Sequence, residues 1–154
     1  MPVIGWREWV ELPAFEVPTI KVKVDTGART SSLHAFDLEE FRKRGEPWVR
    51  FSIHPEQKSA RHATTVAAPL HDRRLVKPSS GRGELRPVIV TTIALLGEVF
   101  EAELTLTRRD QMGFRMLLGR QATRGRFLVD PGASFLNGRR IRKTRRLRPR
   151  RNAD

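Results

Sequence analysis

Short segments in which apolar and polar residues alternate recur along the sequence, and they constrain the fold more than any other feature. A period of two places successive side chains on opposite faces of a strand, so each segment predicts a strand with one buried face. Glycine and proline separate the segments, as expected for turns. The alternation is clearest in IKVKV at 20–24, WVRFSIH at 48–54 and VFEAELTLT at 99–107. Several such strands at short spacing predict a small, mainly β barrel or sandwich.

Three further stretches predict the remaining elements. PVIVTTIALL, residues 87–96, is an apolar run that ends at a glycine and forms a predicted hairpin with the alternating segment after it. DLEEFRKRG, residues 37–45, predicts a short helix, because Asp37 can cap its first turn and Gly45 can end it. RMLLGRQATRG, residues 115–125, predicts a strand that enters a glycine and continues into a second short helix.

Charge divides the sequence into a domain and an arm. The 154 residues suffice for one hydrophobic core, and we expect residues 1–138 to form it. Residues 139–154 hold nine Lys or Arg against one Asp, and so contribute eight of the 13 net positive charges. Such a dense block repels itself, which predicts a disordered C-terminal arm. The arm either binds nucleic acid by releasing counterions or only keeps the chain in solution.

Several classes of site and compartment have no signal in the sequence. No run of about 18 apolar residues predicts a membrane span, and the N-terminus lacks the pattern of a signal peptide, so a cytoplasmic protein is expected. The absence of cysteine excludes disulfides and thiolate zinc sites. Neither a Gly-x-x-x-x-Gly-Lys-Ser/Thr loop nor a His-Glu-x-x-His helix occurs, so no cofactor and no metal are predicted. The four histidines lack metal-ligand spacing: His34, His54, His62 and His71.

The segment VDTGA, residues 24–28, displays a carboxylate at the end of a predicted strand. Gly27 allows the backbone to approach Asp25 and direct an N–H group at the carboxylate, and the Thr26 hydroxyl can fix the loop. An ordinary turn has the same composition. Two carboxylates held close together share one proton, so that the ionised one activates water while the protonated one donates to a peptide carbonyl. Asp25 is therefore a candidate catalytic group that needs a second carboxylate.

A second glycine element, MLLGR, favours the catalytic interpretation of Asp25. Leu117 and Leu118 can pack behind the aspartate loop, and Gly119 permits a close approach where the chain enters the helix. Between the two elements, the segment Ser79–Glu84 contains glycines and is a candidate flap over a bound peptide.

The order of these elements is similar to that in retropepsin-like aspartic peptidases. The blocks KVDTGARTSSLHAF, RPVIVTTIALLG and LTLTRRDQMGFRMLLGRQATRGRFLVDPGASFL resemble, more specifically, a bacterial family labelled ATP-dependent zinc proteases, over roughly residues 5 to 136. Members are found beside a ligase that adds glutamates to a small-subunit ribosomal protein, and they are regarded as endopeptidases that trim such tails. The resemblance implies a small closed retropepsin-like barrel, mainly β with one or two short helices, and an aspartic endopeptidase that trims a glutamate tail.

The resemblance also implies roles for the residues of both elements. Asp25 would be the catalytic residue, in a loop with Thr26, Gly27, Ala28 and Arg29, of which the last two lie beside the bound peptide. The supporting residues would be Leu117, Leu118, Gly119 and Arg120, of which the last starts the short helix.

A second segment, VDPGA at 129–133, echoes VDTGA but has Pro131 in place of the threonine, which removes a hydroxyl and a backbone donor. It also follows the LLGR element instead of preceding one. We interpret it as a turn that leads into a final strand. The second catalytic carboxylate is then expected from a homodimer, in which the two Asp25 side chains meet at the twofold axis.

Charge and histidine content leave the substrate and two alternatives open. Five cationic residues surround the candidate flap, and they either suit an acidic peptide, such as the glutamate-tailed ribosomal protein that the resemblance implies, or are solvated hairpin charges: Arg73, Arg74, Lys77, Arg82 and Arg86. The basic arm could contact RNA or the ribosome. One alternative is a zinc-dependent peptidase that uses His34 and other histidines, although the sequence shows neither the nucleotide loop nor the metal cluster of the family label. The other is a non-catalytic ribosome- or RNA-binding module.

Overall fold

The computed structural model describes residues 1–54, 63–77, 81–108 and 113–138. Within these ranges the chain forms twelve strands, one turn of 3-10 helix at Pro13–Phe15 and one short helix, α1, at Arg120–Thr123. The strands are β1 Val3–Ile4, β2 Arg7–Leu12, β3 Val17–Val24, β4 Ser31–His34, β5 Phe36–Lys43, β6 Glu46–Ile53, β7 Thr64–Pro69, β8 Asp72–Val76, β9 Glu84–Leu95, β10 Glu98–Thr107, β11 Met116–Leu118 and β12 Leu128–Val129.

Six of the strands close into a barrel, in the order β10, β4, β11, β3, β2 and β9, with β9 paired back to β10. β8 extends the sheet beside β9, β5 to β7 form a separate antiparallel sheet, and β1 pairs in parallel with β12. The expectation of a small closed, mainly β barrel is confirmed, and α1 is the predicted short helix after Gly119.

Alternation along the strands places one face of each in the barrel core. In β3, Ile20, Val22 and Val24 are buried, while the two lysines between them are half-buried on the opposite face. The predicted hairpin is formed by β9 and β10, and it turns at Leu96 and Gly97 with φ of 52° and 79°. Positive φ at both turn residues matches the right-handed twist of the flanking strands, so the turn sets the register of the hairpin.

The helix predicted for residues 37–45 is wrong, because β5 occupies most of this stretch and pairs with β6. Arg44 and Gly45 both have positive φ and form the tight turn between the two strands. Phe41 lies opposite Trp48, with ring centroids 6.3 Å apart. Such cross-strand pairs outweigh the helix propensity of a stretch rich in Glu and Arg. A register irregularity near the start of β5 also interrupts the alternation that would have predicted a strand.

The carboxylate of Glu8 joins the N-terminal and C-terminal segments inside the protein. Glu8 is fully buried, and its Oε2 accepts hydrogen bonds from the N–H groups of Gly5 at 2.7 Å and Leu136 at 2.9 Å. Its Oε1 accepts the N–H of Asn137 at 2.9 Å. Three backbone donors offset the desolvation of the buried carboxylate, which is the condition under which such a group stabilises a fold.

The C-terminal part of the described chain agrees only in part with expectation. VDPGA forms the predicted turn, but the strand expected after it is a single bridge between Ser134 and Arg7. The predicted disordered arm, residues 139–154, lies outside the described residues, as do residues 79 and 80 of the candidate flap. In the described part of the chain, no helix has the length and apolar character needed to cross a membrane.

Candidate active site

The loop that carries Asp25 begins where β3 ends. The N–H of Asp25 donates to the carbonyl oxygen of Leu118 at 2.9 Å, which continues the pairing of β3 with β11. Asp25 Oδ1 accepts the N–H of Gly27 at 3.0 Å, and the carbonyl oxygen of Asp25 accepts the N–H of Ala28 at 3.2 Å. The half-exposed carboxylate is therefore held over its own turn by the contact expected for Gly27.

Gly119 lies against this loop more closely than a residue with a side chain could. A Cβ atom at Gly119 would stand 2.5 Å from the carbonyl oxygen of Thr30 and 3.0 Å from that of Ala28. The N–H of Gly119 donates to Ser31 Oγ at 3.0 Å inside the protein. The absent side chain thus lets β11 reach the Asp25 loop, as the sequence predicted.

Arg120 holds the loop with both its backbone and its side chain. Its N–H donates to the carbonyl oxygen of Ala28 at 2.8 Å. Its guanidinium Nη1 donates to the carbonyl oxygens of Gly27 at 3.1 Å and Thr26 at 3.3 Å. Arg120 starts α1 as predicted, and its side chain adds a contact that the sequence did not indicate.

The other loop residues differ in how firmly they are held. The carbonyl oxygen of Arg29 accepts the N–H of Gln121 at 3.0 Å, so the loop is attached to the first turn of α1 twice. Thr26 and Arg29 are exposed, and Ala28 is half-buried. The Thr26 hydroxyl makes no hydrogen bond to the described part of the chain, so its role in fixing the loop stays a prediction.

The two supporting leucines lie in β11, on opposite faces. Leu118 is buried in the core opposite Val24, and Leu117 is 9% exposed opposite Lys23. Leu118 therefore supports the strand that leads into the loop, while Leu117 covers the other face beside Asp25.

The VDPGA segment has the same turn geometry as the Asp25 loop. Asp130 Oδ1 accepts the N–H of Gly132 at 2.9 Å, and the carbonyl oxygen of Asp130 accepts the N–H of Ala133 at 3.1 Å. The hydrogen bonds within the turn therefore do not distinguish Asp25 from Asp130. The Asp130 turn is also attached to a second segment, since the N–H of Trp6 donates to the carbonyl oxygen of Ala133 at 2.8 Å and a Cβ atom at Gly5 would stand 2.1 Å from that oxygen. Among the described residues, what distinguishes the Asp25 loop is the side chain of Arg120, whose guanidinium donates to the carbonyl oxygens of Gly27 and Thr26.

Sequence reasoning missed the Ser31 hydroxyl as a support of the site. Ser31 is buried at the start of β4 and reaches Gly119, which is 88 residues away in the chain. The available signal was the row of three hydroxyl residues at 30–32, which directly follows the aspartate loop.

The β8–β9 hairpin carries the candidate flap, and three of its five cations bind carboxylates of the same chain. Two of these ion pairs are between Arg73 and Glu40 at 2.5 Å and between Arg74 and Glu103 at 2.7 Å. Arg86 donates to the carbonyl oxygen of Leu106 at 2.7 Å and approaches Glu84 at 3.3 Å. Lys77 and Arg82 make no ion pair with the described residues. The charge available for an acidic peptide is thus smaller than the sequence suggests.

Ion pairing around this hairpin shifts the pKa of three carboxyl groups. The guanidinium of Arg73, hydrogen-bonded to Glu40, holds the pKa of that carboxyl below its ordinary value. Arg74 does the same for the pKa of Glu103. The pKa of Asp72 is lowered first by the backbone N–H of Arg73 and then by the side chain of Arg74. All three groups therefore stay ionised at neutral pH, and the base of the hairpin remains paired.

The three described histidines belong to segments other than the Asp25 loop. His34 is buried at the end of β4, and its ring centroid is 6.4 Å from that of His54. His71 approaches Glu103 at 3.2 Å, and His62 lies outside the described residues. Burial, and then the charge of Arg115, lower the pKa of His54. In the parts of the chain that the structure describes, no three His, Asp or Glu side chains come together in a group that could hold a metal ion.

Comparison with known sequences points to one family. The sequence matches the model of the RimB-like family, described as retropepsin-like aspartic endopeptidase RimB, over residues 3–140. A probable alpha-L-glutamate ligase of Shewanella pealeana is 50% identical over 136 residues, which are 88% of this chain and 30% of that protein. A protein of the same name from Desulfotalea psychrophila is 46% identical over 129 residues, 84% of this chain and 28% of that protein. The chain thus spans less than a third of the length of these relatives.

A solved structure has the same fold. The crystal structure of a protein of unknown function from Legionella pneumophila superposes with a TM-score of 0.74 at 28% sequence identity. The match covers 88% of this chain and 98% of that one.

Proposed function

The chain belongs to the RimB-like family of retropepsin-like aspartic endopeptidases, and on this premise we propose that it hydrolyses peptide bonds with Asp25 as the catalytic residue. The observation that carries the proposal is that the guanidinium of Arg120 holds the Asp25 loop through the carbonyl oxygens of Thr26 and Gly27. The hydrogen bond between Arg120 and Gly27 joins residues 93 positions apart at the base of one carboxylate. The turn of Asp130 accepts a backbone N–H from Trp6, but among the described residues no side chain donates to its carbonyl oxygens.

A homodimer supplies the second carboxylate in this proposal. In the described part of the chain, Asp25 accepts a side-chain hydrogen bond only from Gly27, and no second carboxyl group is hydrogen-bonded to it. Two copies related by a twofold axis would bring two Asp25 side chains together. Exposed apolar residues on the paired strands β1 and β12 support association, since Val3 and Leu128 are register partners that are 41% and 54% exposed.

The chemistry follows from the sharing of one proton by two close carboxylates. The ionised Asp25 takes a proton from a water molecule, whose oxygen attacks the carbonyl carbon of the scissile peptide. The protonated Asp25 of the second copy donates its proton to the carbonyl oxygen. Collapse of the tetrahedral intermediate, with a proton returned to the amide nitrogen, then breaks the C–N bond. The two groups titrate as a unit with macroscopic pKa values.

The proposed substrate is a glutamate tail on a ribosomal protein. The curated relatives are named probable alpha-L-glutamate ligase, and about 70% of their length has no counterpart in this chain. A peptidase domain within the same polypeptide as a glutamate ligase is well placed to cleave what the ligase makes. Residues 139–154 are proposed to contact RNA, which would bring the domain to the ribosome.

Cleavage of a peptide that ends in six glutamates tests the proposal, with purified wild type, Asp25→Asn and Asp130→Asn. The two variants make the same chemical change in turns of the same geometry, so Asp130→Asn is a matched control. In the proposed homodimer, Asp25→Asn replaces both carboxylates of the acid–base pair, and loss of acid–base catalysis lowers the rate by at least about 10²–10⁴-fold. We expect this loss in Asp25→Asn only.

Two further arms separate the alternatives. Activity that a chelator abolishes and added zinc restores would indicate a zinc-dependent peptidase. Salt-dependent RNA binding without any cleavage by the wild type would indicate a binding module. Near wild-type cleavage by Asp25→Asn would end the aspartic mechanism.

A further inference from the structure

Three charged side chains follow one another on the outer face of β3. Val22 and Val24 point into the core, so Lys21 and Lys23 point outward, and Asp25 continues on the same side where the strand enters the loop. Side chains two positions apart on a strand are about 6.6 Å apart. The two lysines therefore form a line that ends at the candidate catalytic carboxylate.

Arg7 lies beside this line of side chains, on the neighbouring strand β2. Arg7 is the register partner of Lys23 in the pairing of β2 with β3. Its guanidinium lies 4.7 Å from the ring centroid of Trp6 and 4.8 Å from that of Phe135, and its Nε donates to Ser134 Oγ at 3.2 Å. Two aromatic rings and a hydroxyl thus hold the guanidinium on this face.

Lys21 is held in a similar way. Its ammonium lies 4.8 Å from the ring centroid of Phe114, which in turn packs edge-on against Trp6 at 5.9 Å. We name the surface formed by Arg7, Lys21 and Lys23 the cationic lane.

Ion pairing differs between the cationic lane and the flap hairpin. Among the described residues, neither Arg7 nor Lys23 lies within 4 Å of a carboxylate. The hairpin arginines Arg73 and Arg74, in contrast, are paired with Glu40 and Glu103. The positive charge near Asp25 that makes no ion pair with the described residues is therefore on Lys23 of β3 and Arg7 of β2.

We propose that the cationic lane binds acidic side chains of an extended peptide and places that peptide against Asp25. The proposal rests on the proposed function and names the residues that select its substrate class. An extended peptide has the same spacing of about 6.6 Å between alternate side chains, so alternate glutamates match Lys21 and Lys23. Arg7, beside Lys23, offers a planar donor to the same carboxylate or to the next one.

An acidic peptide fits this face better than single-stranded RNA does. RNA binding without sequence preference uses aromatic rings on which bases stack. Here the rings of Trp6 and Phe114 are covered by cations, and Trp9 is stacked on Phe135 with centroids 5.5 Å apart. These rings contact cations or each other, so they are not presented as a surface for stacking bases.

Binding of a fluorescein-labelled hexaglutamate peptide tests the proposal, with the full chain carrying Asp25→Asn to prevent turnover. Lys23→Gln and Arg7→Gln are added separately and together, and affinity is followed by fluorescence anisotropy. Exposed ion pairs are worth about 0.2–1 kcal/mol, so each substitution should weaken binding up to about fivefold and both together up to about 25-fold. Added salt should reduce the affinity of the unsubstituted lane more than that of the double variant.

Three controls separate charge from structure. Lys23→Arg should retain binding, because it keeps the charge. Lys43→Gln is a matched control, since the ammonium of Lys43 also lies over a ring, that of Trp48 at 4.4 Å, in the separate sheet. A hexaglutamine peptide should bind the variants and the unsubstituted lane equally.

Each alternative result overturns the proposal. It fails if Lys23→Gln weakens hexaglutamate binding no more than Lys43→Gln does, or if the glutamine peptide responds equally. It also fails if the lane substitutions weaken binding of a ten-nucleotide uridine RNA and leave binding of the hexaglutamate peptide unchanged. Because binding is measured without turnover, lane-dependent binding with no cleavage by the wild type would refute only the endopeptidase function. Cleavage with lane-independent binding would refute only the lane.

Discussion

Replacement of Gly119 by alanine tests whether the close packing of β11 against the Asp25 loop is required for activity. The new Cβ atom would stand 2.5 Å from the carbonyl oxygen of Thr30, whereas ordinary contacts begin at 3.4 Å, so about 0.9 Å of displacement is needed. Gly119 has φ of −90° and ψ of 176°, which alanine adopts without strain. The penalty is therefore steric, and the contacted atoms are backbone atoms that cannot rotate away.

The magnitude follows from these distances. An extra methyl group in a packed site costs about 1–3 kcal/mol, and each kcal/mol lowers the melting temperature of a chain of this size by about 2–4 °C. The atoms that move also carry the hydrogen bonds of Gly119 to Ser31 and of Arg120 to Ala28. A displacement of about 1 Å at a catalytic group lowers the rate about 10²-fold, and we expect this loss in kcat.

Thermal unfolding and cleavage of the glutamate-terminated peptide measure the two effects. Gly132→Ala is the control, because its Cβ atom would meet only Asp130 Oδ1, at an ordinary 3.5 Å, in a turn of the same geometry. It should leave both the melting temperature and kcat near wild type. A Gly119→Ala protein with wild-type kcat would refute the idea that this contact positions Asp25.

Two further predictions concern stability. Glu8→Gln places an amide N–H₂ against one of three backbone N–H donors, and we expect a loss of about 1–3 kcal/mol in the free energy of unfolding, measured with urea. Glu11→Gln, at a half-buried position on the same strand, is the control and should change the free energy of unfolding by less than about 0.5 kcal/mol. Equal losses in the two variants would contradict the role of the three donors. The pKa of His54 is lowered in the folded state, so its contribution to stability is present above about pH 6.5 and is lost as the pH falls through the lowered folded-state value. His54→Phe retains a ring beside Phe36. In this variant the urea midpoint should change less between about pH 7 and about pH 5 than it does in the wild type. An equal change in both proteins would show that other groups set the pH dependence of stability.

Most of the barrel could be predicted from the sequence because strand alternation is a local property. Burial of Ile20, Val22 and Val24, with the half-buried lysines between them on the opposite face, follows from a period of two. The same local information was insufficient at residues 37–45, because pairing with β6 and the turn at Arg44 make this stretch a strand.

The candidate site could be predicted only in outline. Asp25 and Gly27 stand out because their hydrogen bond spans two residues. The same signal occurs at Asp130, so the turn does not itself indicate a catalytic role. The support that singles out Asp25 is the hydrogen bond from the Arg120 guanidinium to Gly27, which spans 93 residues.

The distribution of usable charge shows the same limit. From the sequence, the arginines near the flap, such as Arg73, were candidates for binding an acidic peptide, because several of them surround one glycine-containing stretch. The fold pairs Arg73 with Glu40, whereas Arg7 and Lys23 become neighbours only through the pairing of β2 with β3.

The sequence by itself determined most of the strands, the two glycine elements and the position of the displayed carboxylate, because each depends on neighbours within a few residues. Only the tertiary structure decided which aspartate turn is held by the side chain of a distant arginine and which cations make no ion pair with the described residues. Both depend on contacts between distant segments, which form when strands close into a barrel and which no local pattern specifies.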